Sequence, residues 1–217
     1  MNYEQARNNM IEQQIRTWEV LDQGVLELLA RLHREDFMPA PYQSLALADM
    51  SIPLGHGEVT MAPKLEARVI QSLAIRPADR ILEIGTGCGY FTGLLALSGK
   101  EVYSIDIYND FTESAGAALG RHGIDNVNLH TGDGLTGFPQ EAPYDVIAVT
   151  GSLPVYDPVF EQQLAPGGRL FVIVGDSPIM EACLITRTGQ EEWSMETLFE
   201  TDLPPLVGAH KSATFEF

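Results

Sequence analysis

The densest chemistry in this sequence lies in ILEIGTGCGY, residues 81–90, where an apolar run ends at Glu83-Ile84 and glycines follow at positions 85, 87 and 89. Glycine lets a backbone turn tightly and approach a ligand with no Cβ in the way, and a helix opening just after the turn offers unpaired N–H groups. A nucleotide-like ligand is expected at such a turn. A dinucleotide fingerprint wants G-x-G-x-x-G, but its third glycine position is Tyr90 here and the glycine stands at 89. That spacing argues against a nicotinamide dinucleotide. An acid two residues before the first glycine, Glu83, also suits a ligand carrying an ammonium and a cationic sulfur better than it suits a pyrophosphate.

Two more carboxylates stand where such a ligand needs them. Asp106 ends the next apolar run, where a carboxylate can take both hydroxyls of a ribose. Asp133, in TGDG, follows the third run and is placed to accept from an adenine amino group. S-adenosylmethionine has all of these parts. Glu83, Gly85, Thr86, Gly87, Gly89, Asp106, Asp133 and Gly134 are therefore the expected cofactor-binding residues. Taken singly, each acid also reads as a turn residue or a helix cap. What singles out the ligand is the set of three at the carboxyl ends of successive strands, where open α/β sheets bind their ligands.

The elements that must position these residues are legible from about residue 64 on. A helix over Lys64 to Leu73 leads to a strand over Arg80 to Ile84, then the glycine turn, a helix through Leu97 and a strand over Glu101 to Asp106. A helix around Phe111 to Leu119 follows, with strands over Val127 to Thr131, Asp145 to Thr150 and Arg169 to Val174. Strands alternating with helices imply right-handed crossovers and a mostly parallel sheet covered on both faces. Ala182 to Thr188, Met195 to Phe199 and Ala213 to Phe217 are strand-like without full helices between them, so an antiparallel finish is expected.

Residues 1–60 read differently, as N-terminal helices and a loop set against the domain formed by 61–217, in one compact unit. In DQGVLELLARLHRE, Asp22 can cap a helix whose Val25, Leu28, Leu29 and Leu32 share a face. The following stretch holds Pro39, Pro41, Pro53, Gly55, Gly57 and Pro63, which predicts a long structured loop facing the substrate.

Composition narrows the partners. The 217 residues carry 13 Lys+Arg against 30 Asp+Glu, a formal charge of −17, and no basic stripe interrupts the acidity, so nucleic acid is not expected as a partner. With 45% hydrophobic and 20% charged residues the chain can build an ordinary globular core. Its two cysteines, Cys88 and Cys183, make neither a disulfide framework nor a metal site. No apolar run reaches the length of a membrane span or a signal peptide. A cytoplasmic monomer without metal or membrane contact is expected.

At this point the chain resembles the protein-L-isoaspartate O-methyltransferase family of class I methyltransferases. The likeness rests on REDFMP (34–39), IPLGHGEVTMAP (52–63), LEIGTGCGY (82–90), GDGLTGFPQEAPYDVIAVTGSLP (132–154) and LAPGGRL (164–170). It implies an α/β, Rossmann-like fold and cofactor contacts from Glu83, Gly85, Gly87, Asp106 and Asp133. It also implies methyl transfer to the carboxylate of an isoaspartyl residue in damaged protein, with the 52–63 loop over the cofactor and facing the acceptor.

One departure stands out. Where the family's loop reads T-I-S-x-P, with the serine hydroxyl at the acceptor carboxylate, this chain has Val59-Thr60-Met61-Ala62-Pro63. A thioether donates no hydrogen bond. Thr60 and His56 are the candidate replacements. Against them stand a hydroxyl bonded to its own loop backbone and a solvated ring between two glycines. A carboxylate acceptor is already ionised at neutral pH and needs no general base, so alignment and water exclusion can carry the reaction. Two alternatives stay open: a paralogue that methylates a different small-molecule or protein acceptor, and a module that binds the cofactor or its demethylated product without transfer.

Overall fold

The computed structural model describes residues 2–210. Asn2 caps α1 (Tyr3–Met10) by accepting from the Gln5 N–H at 3.1 Å. The chain then loosens into a π-helical turn over Ile11–Ile15 and a 3-10 turn over Arg16–Trp18. Asp22 caps α2 (Gln23–Arg31) as expected, accepting from the Val25 N–H at 3.1 Å. The buried stripe of α2 is Val25, Leu26 and Leu29, continued by Leu32, while Leu28 is only partly buried. The stripe centres nearer Leu29 than the spacing alone suggested.

The expected long structured loop is present and carries short regular elements. It folds into 3-10 turns over Arg34–Phe37 and Ala40–Leu45, then a small hairpin of β1 (Pro53–Gly55) and β2 (Glu58–Val59). His56 and Gly57 form the hairpin's tip with φ of 55° and 88°, and the Thr60 N–H donates to the Ile52 carbonyl at 2.9 Å to close its base.

From there α3 (Pro63–Leu73), β3 (Arg80–Ile84), α4 (Tyr90–Ser98), β4 (Glu101–Asp106), α5 (Asn109–Arg121) and β5 (Val127–Thr131) follow as the periodicity predicts. β6 (Tyr144–Leu153) and β7 (Leu164–Asp176) are longer than their apolar runs, because irregular register lets polar and glycine residues stay in the ladder. β8 (Ile179–Arg187) and β9 (Trp193–Thr201) end the sheet. Its order is β5-β4-β3-β6-β7-β8-β9. The ladders from β5 to β7 are parallel, and β7-β8 and β8-β9 are antiparallel. The antiparallel finish is thus formed by β8 and β9, while the strand expected over Ala213 to Phe217 lies outside the described residues.

Side chains alternate across the sheet, so each central strand feeds two clusters. Ile81, Val102, Val146, Phe171 and Ile173 pack with apolar residues of α1 to α5, and the N-terminal Met10, Ile15, Leu26 and Leu29 belong to that same cluster. Leu82, Ile84, Ile147, Val149, Leu170 and Val172 face the other way, under Phe138, Phe160 and Leu206. The chain leaves β3 toward β4 and β5, then returns to β6 on the other side of β3. The reversal makes a crevice beyond the carboxyl ends of β3 and β6, the place where open α/β sheets take ligands.

Candidate active site

The site begins where β3 ends. At Gly85 (φ 100°) the backbone turns and its N–H donates to the Ile105 carbonyl at 2.8 Å. Across the crevice, the Thr150 hydroxyl at the end of β6's straight run is 2.9 Å from the Ile84 carbonyl and 2.8 Å from that of Gly85. A Cβ on Gly85 would come within 2.2 Å of that hydroxyl, so only glycine fits the turn. Asp106 holds the next part of the turn. One carboxylate oxygen accepts from the Gly87 N–H at 2.8 Å and the other from the Tyr108 N–H at 3.0 Å. Burial pushes the Asp106 carboxyl above its ordinary range, against the pull of those backbone bonds.

Over this turn lies a cleft. Its walls are Leu54, Glu58 and Val59 of the hairpin, Asp106, Ile107, Tyr108 and Phe111 before and in α5, Asp133 to Leu135, Thr150, and the tail segment Leu203 to Val207. Of the expected residues, Gly85, Gly87, Asp106, Asp133 and Gly134 line it. Asp133 is exposed and accepts from the Leu135 N–H at 2.9 Å.

Glu83, Thr86 and Gly89 stand elsewhere. Strand alternation turns Glu83 with Ile81 to the helical side of the sheet, away from Ile84. There it is fully buried and accepts from the hydroxyls of Thr92 at 2.6 Å and Ser104 at 2.5 Å. Its Oε1 is buried without a partner. Burial pushes its carboxyl up to about 8 against those two hydroxyls, so it sits beneath the turn as a largely neutral acid. The Thr86 hydroxyl lies 2.6 Å from that of Ser104 in the same network. Gly89 caps α4, and a Cβ there would come within 2.7 Å of the Ala115 Cβ, so its glycine serves the close approach of α4 and α5.

The two candidate acceptor residues have different surroundings. His56 is outside the cleft lining: its ring is stacked on Tyr108 and its Nε2 is bonded to Asp110, which holds the Asp110 carboxyl below its ordinary range. Thr60 is buried and its Oγ1 accepts from the Ile52 N–H and from Arg34, each at 3.0 Å. The loop-backbone contact anticipated for this hydroxyl is therefore present. Thr60 and Met61, with Glu66, Thr86, Cys88 and Phe91, also line a small cavity of ≈ 50 Å³ that adjoins the cleft at Leu54, Val59, Gly85, Gly87 and Thr150.

The electrostatics are one-sided. Glu58, Asp106 and Asp133 line the cleft, with no Lys, Arg or His among the described lining residues. Burial, then the charge of Asp106, pushes Glu58 up, with His56 opposing. A phosphate-rich ligand is repelled by such a lining and a cationic one is attracted, so the donor set fits a sulfonium nucleoside. Among the described residues no cluster of metal-ligating side chains occurs and no helix is long and apolar enough to cross a membrane.

Glu58, Ile107, Tyr108, Phe111, Thr150 and the Leu203 to Val207 segment also line the cleft without having been singled out as cofactor contacts by their spacing. Thr150 had a signal, its place at the carboxyl end of an apolar run flanking the switch point. The tail had only its Pro204-Pro205 pair.

Known proteins resemble this chain in sequence and in fold. The family model described as Protein-L-isoaspartate(D-aspartate) O-methyltransferase matches residues 5–211. A Roseiflexus castenholzii Protein-L-isoaspartate O-methyltransferase is 36% identical over 214 residues, covering 99% of this chain and 97% of its own. The Myxococcus xanthus protein of that name is 42% identical over 156 residues, covering 72% of this chain and 74% of its own. A solved structure of a protein-L-isoaspartate O-methyltransferase superimposes with a TM-score of 0.79 at 26% identity, covering 92% of this chain, which spans 65% of that longer one. A Plasmodium falciparum structure, described as a candidate enzyme of this kind in complex with S-adenosyl-L-homocysteine, shares the fold with a TM-score of 0.79 at 18% identity, over 95% of this chain and 98% of its own.

Proposed function

The chain belongs to the protein-L-isoaspartate(D-aspartate) O-methyltransferase family, and on that premise we propose that it methylates the free carboxylate of isoaspartyl residues in protein or peptide, with S-adenosylmethionine as methyl donor. The observation that supports this reading best is the acidic cleft at the β3–β6 switch point, which has no cationic side chain among its described lining residues, with Asp106 clamping the glycine turn. Asp106 and Asp133 would hold the nucleoside part, and the negative lining would favour the charged methyl donor over its neutral-sulfur product.

The cofactor supplies a methyl group on a cationic sulfur, which a carboxylate oxygen takes as the S–C bond breaks, with no proton moving. What the protein adds is placement. The Thr150 hydroxyl and the Asp106 carboxylate fix the turn from both sides, while Leu54 and Val59 of the hairpin screen it from water. A cavity of ≈ 50 Å³ beside the turn admits a group of a few heavy atoms.

Within this reading residues 1–60 form the substrate-facing part set on the 61–217 methyltransferase part, through the hairpin that roofs the cleft. A cytoplasmic monomer belongs to the same proposal, and the free thiols of Cys88 and Cys183 are in keeping with a reducing compartment. The direct experiment is labelled-methyl transfer to an isoaspartyl peptide, which should yield a base-labile ester. Saturable cofactor binding without that ester would set this reading aside, and a broader acceptor screen would then separate a paralogue with another acceptor from a module that binds the cofactor without transfer. Met61, buried where the family carries its serine, is the observation that favours the paralogue.

A further inference from the structure

The Arg34–Glu66 ion pair is buried, with 1% and 2% residue exposure, and sits directly behind the loop residues that line the small cavity. Arg34 donates from Nε to Glu66 Oε2 at 2.9 Å, and from Nη2 to Glu66 Oε1 at 3.2 Å, to the Met61 carbonyl at 2.8 Å and to Thr60 Oγ1 at 3.0 Å. Its Nη1 donates to the Ala46 carbonyl at 2.6 Å. A buried pair of this kind gains little net stability over apolar packing. Its arrangement here joins three chain segments to one planar fork, which fixes where Thr60 and Met61 stand.

A hydroxyl has two lone pairs and one proton. Both lone pairs of Thr60 are engaged, one by the Arg34 guanidinium and one by the Ile52 N–H at 3.0 Å. Only the proton is left to give, and among the described residues no acceptor takes it. Thr60 borders the small cavity that meets the cleft at Gly85, Gly87 and Thr150. A cation on the lone pair strengthens the O–H as a donor. The Met61 carbonyl accepts from Arg34, and its thioether offers the cavity no hydrogen-bond donor.

We propose that the Thr60 hydroxyl, held donor-outward by Arg34 and the Ile52 amide, is the group that binds the unreacting oxygen of the acceptor carboxylate. The inference rests on the proposed isoaspartyl activity and names its missing acceptor contact, one residue before the family's serine position. Thr60 is then a catalytic residue, and Arg34 and Glu66 are positioning residues that act through it.

The test compares wild type, Thr60→Ser, Thr60→Val and the double variant Thr60→Val/Met61→Ser. Three quantities are measured: kcat/KM for an isoaspartyl peptide, the Kd of that peptide for protein saturated with S-adenosylhomocysteine, and the Kd of S-adenosylhomocysteine itself. The expected result is near-wild-type behaviour for serine and, for valine, a loss of about 10- to 100-fold in kcat/KM with weaker peptide binding, the scale of one hydrogen bond to a charged group. S-adenosylhomocysteine affinity should stay within about twofold, and the serine at 61 should restore part of the loss. Should valine fail to fold, Thr60→Cys, whose thiol is a weak donor, gives the same readout.

Wild-type transfer with an unimpaired Thr60→Val overturns this inference alone. So does a valine variant that loses cofactor and peptide binding alike with no recovery from serine at 61, since that is a merely structural role. A wild type that binds S-adenosylhomocysteine but never methylates the isoaspartyl peptide overturns the functional reading and this inference with it.

Discussion

The ring of His56 lies flat on that of Tyr108, with centroids 4.0 Å apart and planes 7° apart, while its Nε2 is 3.0 and 3.1 Å from the two carboxylate oxygens of Asp110. This contact pins the tip of the β1–β2 hairpin to the start of α5. Both elements wall the cleft that Asp106 closes from below, so the pinned hairpin acts as a roof.

Replacing His56 by alanine should therefore loosen the roof without unfolding the protein, because the contact is exposed. S-adenosylhomocysteine is expected to bind roughly 3- to 10-fold more weakly by titration calorimetry, the scale of one stacked and hydrogen-bonded surface contact, with the melting temperature nearly unchanged. Affinity equal to wild type would show that the hairpin closes by other means.

Asp106→Asn keeps the shape but removes the charge and one good acceptor at the turn. Affinity for S-adenosylmethionine should fall by about 10- to 100-fold, as for a charge-assisted hydrogen-bonding group. Calorimetric titration reads this directly, and an unchanged Kd would remove Asp106 from the site.

Glu83 gives stability a pH dependence of definite sign. The unfolded chain loses this proton near 4.5 and the folded protein near 8. Between those values the native state holds the extra proton, so its contribution is complete below the lower value and is lost as pH rises through the window. Urea unfolding of wild type relative to Glu83→Gln should show the stability difference shifting against wild type from pH 5 to pH 8, because glutamine has nothing to ionise. Parallel pH profiles for the two proteins would refute a buried neutral carboxyl.

Gly89 separates packing from ligand contact. Alanine there must adopt the left-handed region at φ 82° and sit 2.7 Å from the Ala115 Cβ. A loss of about 2–4 kcal/mol is expected from backbone strain plus overpacking, with cofactor affinity of the folded protein preserved. A stable variant that no longer binds S-adenosylhomocysteine would instead make Gly89 a cofactor contact.

How far the sequence carried is clearest residue by residue. Strands β3 to β5 and helices α2 to α5 were legible because their apolar residues recur at one period, and Asp22 marked a helix start by its type. The switch point followed, and with it Gly85, Gly87, Asp106, Asp133 and Gly134 at one cleft. Glu83 was legible as an acid at the right turn but not by direction, since strand parity decides which face it meets and the face depends on the whole sheet. Gly89 looked like its neighbouring glycines, yet its reason is Ala115 on another helix. Arg34 gave no signal beyond a charged residue in REDF. Its partners Thr60, Glu66 and the Met61 and Ala46 carbonyls lie far along the chain, and only the folded loop gathers them.

Selective methylation of isoaspartyl carboxylate is read most directly by mass spectrometry of a mixed substrate. Two peptides of one sequence, one isoaspartyl and one ordinary aspartyl, are incubated together with the protein and S-adenosylmethionine. A single added methyl ester is expected on the isoaspartyl peptide and none on its partner. Equal modification of both, or of neither while another acceptor in the same assay is methylated, would contradict this expectation.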